Sequence, residues 1–405
     1  MTITARALNR ATLARQLLLA RESIGVGDAL RQVVALQAQQ PASPYLALWN
    51  RVEGFDPAAL DAAVAESRAV KATLMRITLH LVDADDYRDF REAVEPTLRG
   101  SRLGDARFRS SGLTADDVHA ALPDLLAYAE QPRAAAELSA WLTERFGAPA
   151  DPAAWRMLRH YAPLWHAPTG GPWLFDTKQS YVAATAQPAL TEPALTEPGA
   201  AEAGAGEPGV VEPGAAEAAA AGLRVLVRRY LAGFGPASVA DVAQFGLLQR
   251  TRVRAALAAL AADGEVEEVR GADGTVLYDV PGAPRPDGDT PVPPRLMAMW
   301  DSTLLAYADR SRVIPPEYRK HVTRMNGDVL PTLLVDGYVA GVWRVVDGTV
   351  EATAFRALPE GAWAGLGEEA AALTAFLADR DPEVYRRYAH WWTKPLPGVE
   401  VRKLG

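Results

Sequence analysis

Gln37 and Gln39 stand two residues apart in Leu36-Gln37-Ala38-Gln39-Gln40-Pro41, where a helical pattern gives way to Ser43-Pro44-Tyr45. Neither core building nor solubility asks for three glutamines there. A pair of neutral amides is what a site would use to hold a water molecule without a strong base, because each carbonyl accepts, each NH2 donates, and neither titrates. On an ideal helix the two side chains would diverge by about 200°. In extended chain, residues i and i+2 face the same way, and Pro41 biases Gln40 away from helical geometry. The pair can therefore converge on one site. Glutamines at a helix end can also bond free carbonyls, and the residues alone leave both readings open.

Other catalytic constellations are missing. The six histidines, His80, His119, His160, His166, His321 and His390, show no close helical pairing. Cysteine is absent, which removes thiolate ligands, thiol nucleophiles and a disulfide framework together. We expect no metal and no cofactor: there is no Gly-rich phosphate loop and no Gly-x-Ser-x-Gly. Carboxylates are plentiful, but spacing singles out no acid and base. A cysteine-free chain fits a reducing cytoplasm. The opening MTITARALNRATLARQLLLA is interrupted by Arg10 and Arg15, and no apolar run of membrane-spanning length follows. The expectation is a cytoplasmic protein without a membrane partner, associated with the nucleoid when bound to DNA.

The formal net charge is −8, which argues at first against nucleic acid. The distribution of that charge matters more than its sum. Residues 187–221 carry Glu192, Glu197, Glu202, Glu207, Glu212 and Glu217 and no base; without them 44 acids face 42 bases. Residues 222–256 carry Arg224, Arg228, Arg229, Arg250, Arg252 and Arg254 against Asp241 alone. Basic charge is local, which permits DNA binding without demanding it.

That acidic segment is also the clearest boundary. Its glutamates recur every five residues among Pro193, Pro198, Pro208 and Pro213, with too few large apolar groups to bury, so 187–221 reads as a disordered linker. On either side lie units of helices followed by short strands. Residues 1–112 show helical spacing over Leu8–Arg21 and Asp28–Leu36, a helix from Pro57 after Asp56, and a strand over Met75–Val82. In that strand Arg76, Thr78 and His80 share the polar face, which could meet DNA or form a solvated edge. Residues 113–186 show helix starts at Thr114 and Asp151-Pro152, an amphipathic stretch from Arg133 to Phe146, and a turn at Thr169-Gly170-Gly171-Pro172 like the wing of a winged helix. Residues 222–282 repeat the scheme: a helix from Leu223, one capped by Ser238, one over Gln249–Ala262, and two strands joined through Gly271–Gly274. Tandem units of this kind suggest a helix-turn-helix array, used chiefly on DNA.

Residues 290–405 read differently. Asp336-Gly337 and Asp347-Gly348 separate three strand-like runs, which predicts a β-rich module built from tight hairpins and closed by a helix over Glu368–Ala378. Its Asp309-Arg310-Ser311-Arg312 is a basic turn that could contact DNA through Arg310 and Arg312 or simply satisfy local ion pairs. The fold class expected is α+β, with tandem winged-helix units and a C-terminal β-rich domain.

Gln37-Ala38-Gln39, with LNRATLARQLLL, LQAQQPASPYLALW and MRITLHLV around it, resembles the AlkZ family of bacterial DNA glycosylases, marked by a Gln-x-Gln signature. YLAGFGPASVADVAQFGLL, YADRSRVIPP and LVDGYVAGVWR are similar to later parts of that family in the same order. The resemblance implies a monofunctional glycosylase that hydrolyses the N-glycosidic bond of N7-alkylguanine in duplex DNA, in some members within interstrand crosslinks as self-resistance to a genotoxic product. It also implies that Gln37 and Gln39 are the catalytic pair. N7 alkylation leaves the purine cationic and able to depart neutral, so no general acid is required. What remains is to position water and stabilise an oxocarbenium-like sugar. A monomer is the simplest expectation. Two other readings stay in view: a non-catalytic winged-helix regulator, which would bind one operator, and a protein that sequesters a genotoxic small molecule.

Overall fold

The computed structural model describes residues 2–146, 152–176, 178–185 and 213–405. The architecture is mixed α+β, as expected. Helix starts follow the capping chemistry in the sequence. Asp56 accepts a bond from Ala58 N ahead of Pro57–Ala65, and Thr114 with Asp117 and Ser238 with Asp241 form reciprocal capping boxes for Ala115–Tyr128 and Val239–Gly246. The first helix, Ala5–Arg15, is shorter than its apolar spacing suggests, since Leu17 turns left-handed at φ 55°.

The sheet that carries the glutamine pair runs in the order β2 (Leu36–Gln37), β4 (Leu79–Asp83), β3 (Ala69–Thr73), β6 (Leu164–Ala167), β7 (Ser180–Ala183), β5 (Arg133–Ala134), with every neighbouring pair antiparallel. Strands of the first and second expected units thus join in one sheet, through the Ala72–Trp165 pair. The amino-terminal strand β1 (Thr2–Ile3) lies parallel to β8 (Glu267–Gly271), which pairs with β9 (Val276–Asp279), so the start of the chain adds a third strand to this hairpin. In the carboxy-terminal region β10 (Arg295–Met297), β11 (Thr332–Val335), β12 (Tyr338–Val346), β13 (Thr349–Ala354) and β14 (Glu400–Leu404) form a meander. Both Asp-Gly pairs have positive φ at each residue, the hairpin geometry the sequence predicts. Two flanking strands enlarge the expected three.

Three corrections bear on the site. The expected strand Met75–Val82 begins only at Leu79; Met75–Ile77 is a 3-10 turn closing the β3–β4 hairpin, with Leu74 N donating to Thr78 O at 3.1 Å. Arg76 and Thr78 therefore sit in a hairpin loop, and of the three residues expected on one strand face only His80 lies in the strand. The second correction is the helix Ala84–Leu103, whose many charges hide it: Glu95 accepts from both Arg91 and Arg99 within one buried i, i+4 ladder. The third is that helix Pro213–Phe234 takes up residues 213–221 of the expected linker, while 187–212 lies outside the described residues. These two helices pack closely. A Cβ built on Gly222 would stand 2.5 Å from Asp89 O, so the approach requires glycine.

The parts are tied together by buried ion pairs. Arg15 forks onto Asp279 at 2.6 and 2.9 Å, joining the first helix to β9, and Arg51 forks onto Asp301 at 2.8 and 2.9 Å, joining the first unit to the carboxy-terminal region; all four side chains are fully buried. Burial alone would raise the Asp301 carboxyl, but the Arg51 guanidinium and the bonds around it hold it below its usual range. No described helix is long and apolar enough to cross a membrane.

Candidate active site

Helix Val26–Val33 stops where Val34 adopts φ 72°, and the chain straightens into β2. Leu36 pairs with Leu81 and Gln37 with His80. Ala38 N donates to Leu79 O at 2.8 Å, while the Ala38 side chain is buried in the core. Extended geometry alternates faces, so the small middle residue goes inward and the two amides go the other way together. Both line one cleft of about 350 Å³. Gln37 is 5 % exposed at its floor, and Gln39 is exposed at its rim.

Among the described residues each amide oxygen has one protein donor. Arg76 Nη2 donates to Gln37 Oε1 at 2.9 Å, and Leu79 N reaches Gln39 Oε1 at 3.5 Å. A carbonyl oxygen has two acceptor sites, so each retains one. Because the guanidinium only donates, the bond fixes which way the Gln37 amide points.

Arg76 is itself held from three sides. The hairpin loop turns left-handed at Arg76 (φ 53°) and Ile77 (φ 58°), a strained pair of positions for residues with side chains. Nη1 donates to Phe245 O at 2.9 Å, near the carbonyl end of Val239–Gly246, and the guanidinium lies 5.5 Å from the Phe245 ring. Nη2 also approaches His80 Nε2 at 3.2 Å, while His80 Nδ1 lies 3.1 Å from Thr78 O. The carbonyl can only accept, so Nδ1 carries the His80 proton and Nε2 accepts from Arg76. Burial, then the charge of Arg76, pushes His80 well below the usual histidine range and keeps it neutral. Burial, reinforced by Arg310, brings Arg76 down to about 10, still a cation at neutral pH.

The opposite wall comes from the expected helix after Pro152 and the strands around the Gly170-Gly171 turn, whose individual residues pattern reading did not single out as a site. Arg159 and His160 end the helix Pro152–Tyr161, His166 lies on β6, and Gln179 precedes β7. Arg159 Nη1 donates to Gln179 Oε1 at 2.6 Å. Thr73 Oγ1 and His160 Nδ1 are 2.8 Å apart. Burial, then Arg102, Arg159 and Arg91, lowers His160 to about 3, and burial with Lys71 and the neighbouring cations holds His166 well down. The third wall is Trp300 with the loop Asn326-Gly327-Asp328. Asp328 is the one carboxylate among the described lining residues, and it accepts from Trp391 Nε1 at 2.8 Å and Asn326 Nδ2 at 3.0 Å. No periodicity or motif marks Arg159, Gln179, Trp300 or Asp328, because they meet only through tertiary folding.

The residues expected to contact DNA are placed unequally. Thr78 lines the cleft and donates to Met75 O at 3.1 Å. His80 is 0 % exposed, and Arg76 spends its donors on protein, so these two stand behind Gln37. Arg310 is half-buried, bonds Thr323 Oγ1 at 3.0 Å and lies close enough to Arg76 to disfavour its charge. Arg312 donates to Pro236 O at 2.8 Å and lies 4.1 Å over the Tyr307 ring, holding segments together away from the cleft.

A cleft with two amides on one side, neutral histidines and one guanidinium, Arg159, on the other suits holding a nucleophilic water. The chain resembles the Streptomyces sahachiroi DNA glycosylase AlkZ in structure, with a TM-score of 0.73 at 21% sequence identity, covering 94% of this chain and 98% of that one; this likeness is one of fold. No curated protein sequence matches. The family profile described as "DNA glycosylase AlkZ-like" matches residues 30–376, a span that holds Gln37, Gln39 and every other residue lining the cleft, and the chain therefore belongs to the AlkZ-like DNA glycosylase family.

Proposed function

We propose that the enzyme hydrolyses the N-glycosidic bond of N7-alkylated guanine in duplex DNA, with Gln37 and Gln39 jointly orienting the attacking water. The observation that carries this reading is the pairing of two anchored amides with histidines held neutral in the same cleft. A site without an acid near neutrality acts on bases that leave unaided, and a cationic purine is such a base. The free acceptor site on each amide oxygen suits a water that must lose its proton late, as the sugar becomes electron-deficient. Carbonyl dipoles fixed in advance stabilise that developing charge, and Asp328 adds a negative charge to the same cleft.

The placement of Gln39 at the rim supports attack on a sugar that stays near the surface. A guanine tied to the opposite strand cannot be flipped into a closed cavity, so bulky adducts and interstrand crosslinks fall within the proposed range. Excision of such adducts would serve as self-resistance where the cell makes the alkylating product. A water molecule, and no cofactor or metal, supplies the nucleophile in this scheme, and the protein acts as a monomer.

The test is single-turnover release of N7-methylguanine from a labelled duplex. Gln37→Ala and Gln39→Ala should each lose about 10²-fold or more while still binding DNA. Variants that excise at the native rate would sink the assignment.

A further inference from the structure

Across the cleft from Gln37 and Gln39 stands a third glutamine, Gln179, whose orientation is fixed by its neighbours. Arg159 Nη1 donates to Gln179 Oε1 at 2.6 Å, Tyr181 Oη donates to the same oxygen at 2.8 Å, and Arg159 Nη1 closes the triangle on Tyr181 Oη at 3.3 Å. A guanidinium only donates, so the amide atom it meets is the oxygen and not the nitrogen. With two donors on it, that oxygen has no acceptor site left. Gln179 Nε2 remains, and no acceptor takes its two hydrogens among the described residues. The triangle is itself anchored. Tyr181 is 1 % exposed and set edge-on to Trp155, with ring centroids 5.4 Å apart, and burial raises its hydroxyl pKa so that it stays a donor. Gln179 O accepts from Ala135 N at 2.9 Å, and Arg159 turns its fork to Gln179 while Nε stays buried without a partner.

The cleft therefore has unlike walls. Gln37 and Gln39 keep free acceptor sites for a water, whereas Gln179 offers a fixed pair of N–H donors. Water that attacks C1′ comes from the side opposite the departing base, so a sugar between the walls turns its base toward Gln179. Guanine alkylated at N7 keeps the O6 acceptor on that edge, whereas adenine carries its N6 amine there, a donor. As the C1′–N9 bond breaks, its electron pair passes into the purine, the ring charge is neutralised, and O6 becomes the better acceptor. A donor fixed beforehand at O6 gains strength as the reaction proceeds. A phosphate would call for the guanidinium, which instead spends Nη1 on Gln179 and Tyr181.

We propose that Gln179 reads O6 of the alkylated guanine and selects guanine over adenine, with Arg159 and Tyr181 as positioning residues that aim its amide. The proposal rests on the reading that the Gln37–Gln39 cleft receives the target nucleotide, and one arm of its test is kept independent of excision.

The probes are duplexes carrying N7-methylguanine, N7-methyladenine or N7-methylhypoxanthine, the last of which keeps O6 and lacks the 2-amino group. Single-turnover release of each base is divided by its spontaneous loss. The native protein should accelerate guanine and hypoxanthine alike and adenine about 10²-fold less. Gln179→Leu should erase that preference, and Tyr181→Phe should lose part of it. Gln179→Glu, which still accepts from Arg159 and Tyr181 but turns the free atom into an acceptor, should favour adenine. A merely structural defect would slow all three substrates together, and thermal melting of each variant checks the fold. Equal acceleration of guanine and adenine by the native protein, or an unchanged preference in Gln179→Leu, would overturn the assignment. The second arm is calorimetric binding of free 7-methylguanine and 7-methyladenine to the protein held on a duplex with a tetrahydrofuran abasic-site analogue, which cannot be hydrolysed. A Gln179-dependent preference for free 7-methylguanine without release from any duplex would defeat the hydrolytic reading and leave the O6 contact standing. Release with a preference indifferent to Gln179 would defeat the contact alone, and neither release nor base binding would defeat both.

Discussion

At the scale of single residues, Arg76 explains more than its charge. It donates to Gln37, His80 and the Phe245 carbonyl from a strained loop, without a carboxylate among these contacts. Its part is to hold the Gln37 amide in one orientation, which makes it a positioning residue. Arg76→Met should lower single-turnover excision by about tenfold or more with little change in DNA affinity, and Arg76→Lys, which keeps the charge but loses the fork, should recover only part of the rate. An equal loss in both quantities would mean that Arg76 touches DNA instead. Histidine makes a second prediction. With His80 and His166 well below the usual range and His160 near 3, none changes charge near neutrality, so excision by Lys71→Met, which removes the amine lowered to about 7 beside His166, should stay within about twofold between pH 6 and 8. Stability behaves otherwise. The folded state keeps His160 neutral down to about 3, whereas the unfolded chain takes up the proton near 6.5. Unfolding therefore becomes easier as pH falls from about 6.5 toward 3 and is indifferent to His160 above that window, which pH-dependent urea melts would read.

At the scale of elements, the glutamine pair was legible because extended chain before a proline brings residues i and i+2 to one face, and Ala38 confirms the alternation by packing inward. The capped helices and Asp-Gly hairpins were legible for similar local reasons. The β3–β4 hairpin was not, since Arg76 and Ile77 adopt left-handed backbone that no glycine or asparagine announces. The helix Ala84–Leu103 was hidden because arginine and glutamate there pair with each other in the interior. Lys71 is a further case, invisible as a buried group from sequence. It lies on β3 at 5 % exposure, 4.2 Å over the Phe175 ring, and burial lowers it to about 7. Lys71→Met should keep the apolar stem and remove a polar head that costs about 1–3 kcal/mol when buried unpaired. We expect a higher urea midpoint at pH 7; a lower one would show that the amine has a partner the fold depends on.

At the scale of the whole molecule, the helices and strands of each expected stretch left sequence patterns, but their assembly did not. Residues 69–83 and 164–183 share a sheet, the first strand pairs with β8, and paired charges distant in sequence fasten the rest. Such contacts leave no periodic signal. They matter to the site because Trp300 adjoins Asp301, whose pairing with Arg51 fixes the carboxy-terminal wall of the cleft. Asp301→Asn would leave a buried guanidinium uncompensated, at about 3–5 kcal/mol, and equilibrium unfolding should show it. The local distribution of basic residues fits the same picture, in which walls from three parts of the chain meet at two neutral amides. The measurement that tests this most directly sets N7-methylguanine against uracil, an uncharged base, in otherwise identical duplexes under single-turnover conditions. The account predicts release of the cationic purine and no detectable release of uracil, because the cleft holds no acid to help a neutral base depart. Comparable release of both would contradict it.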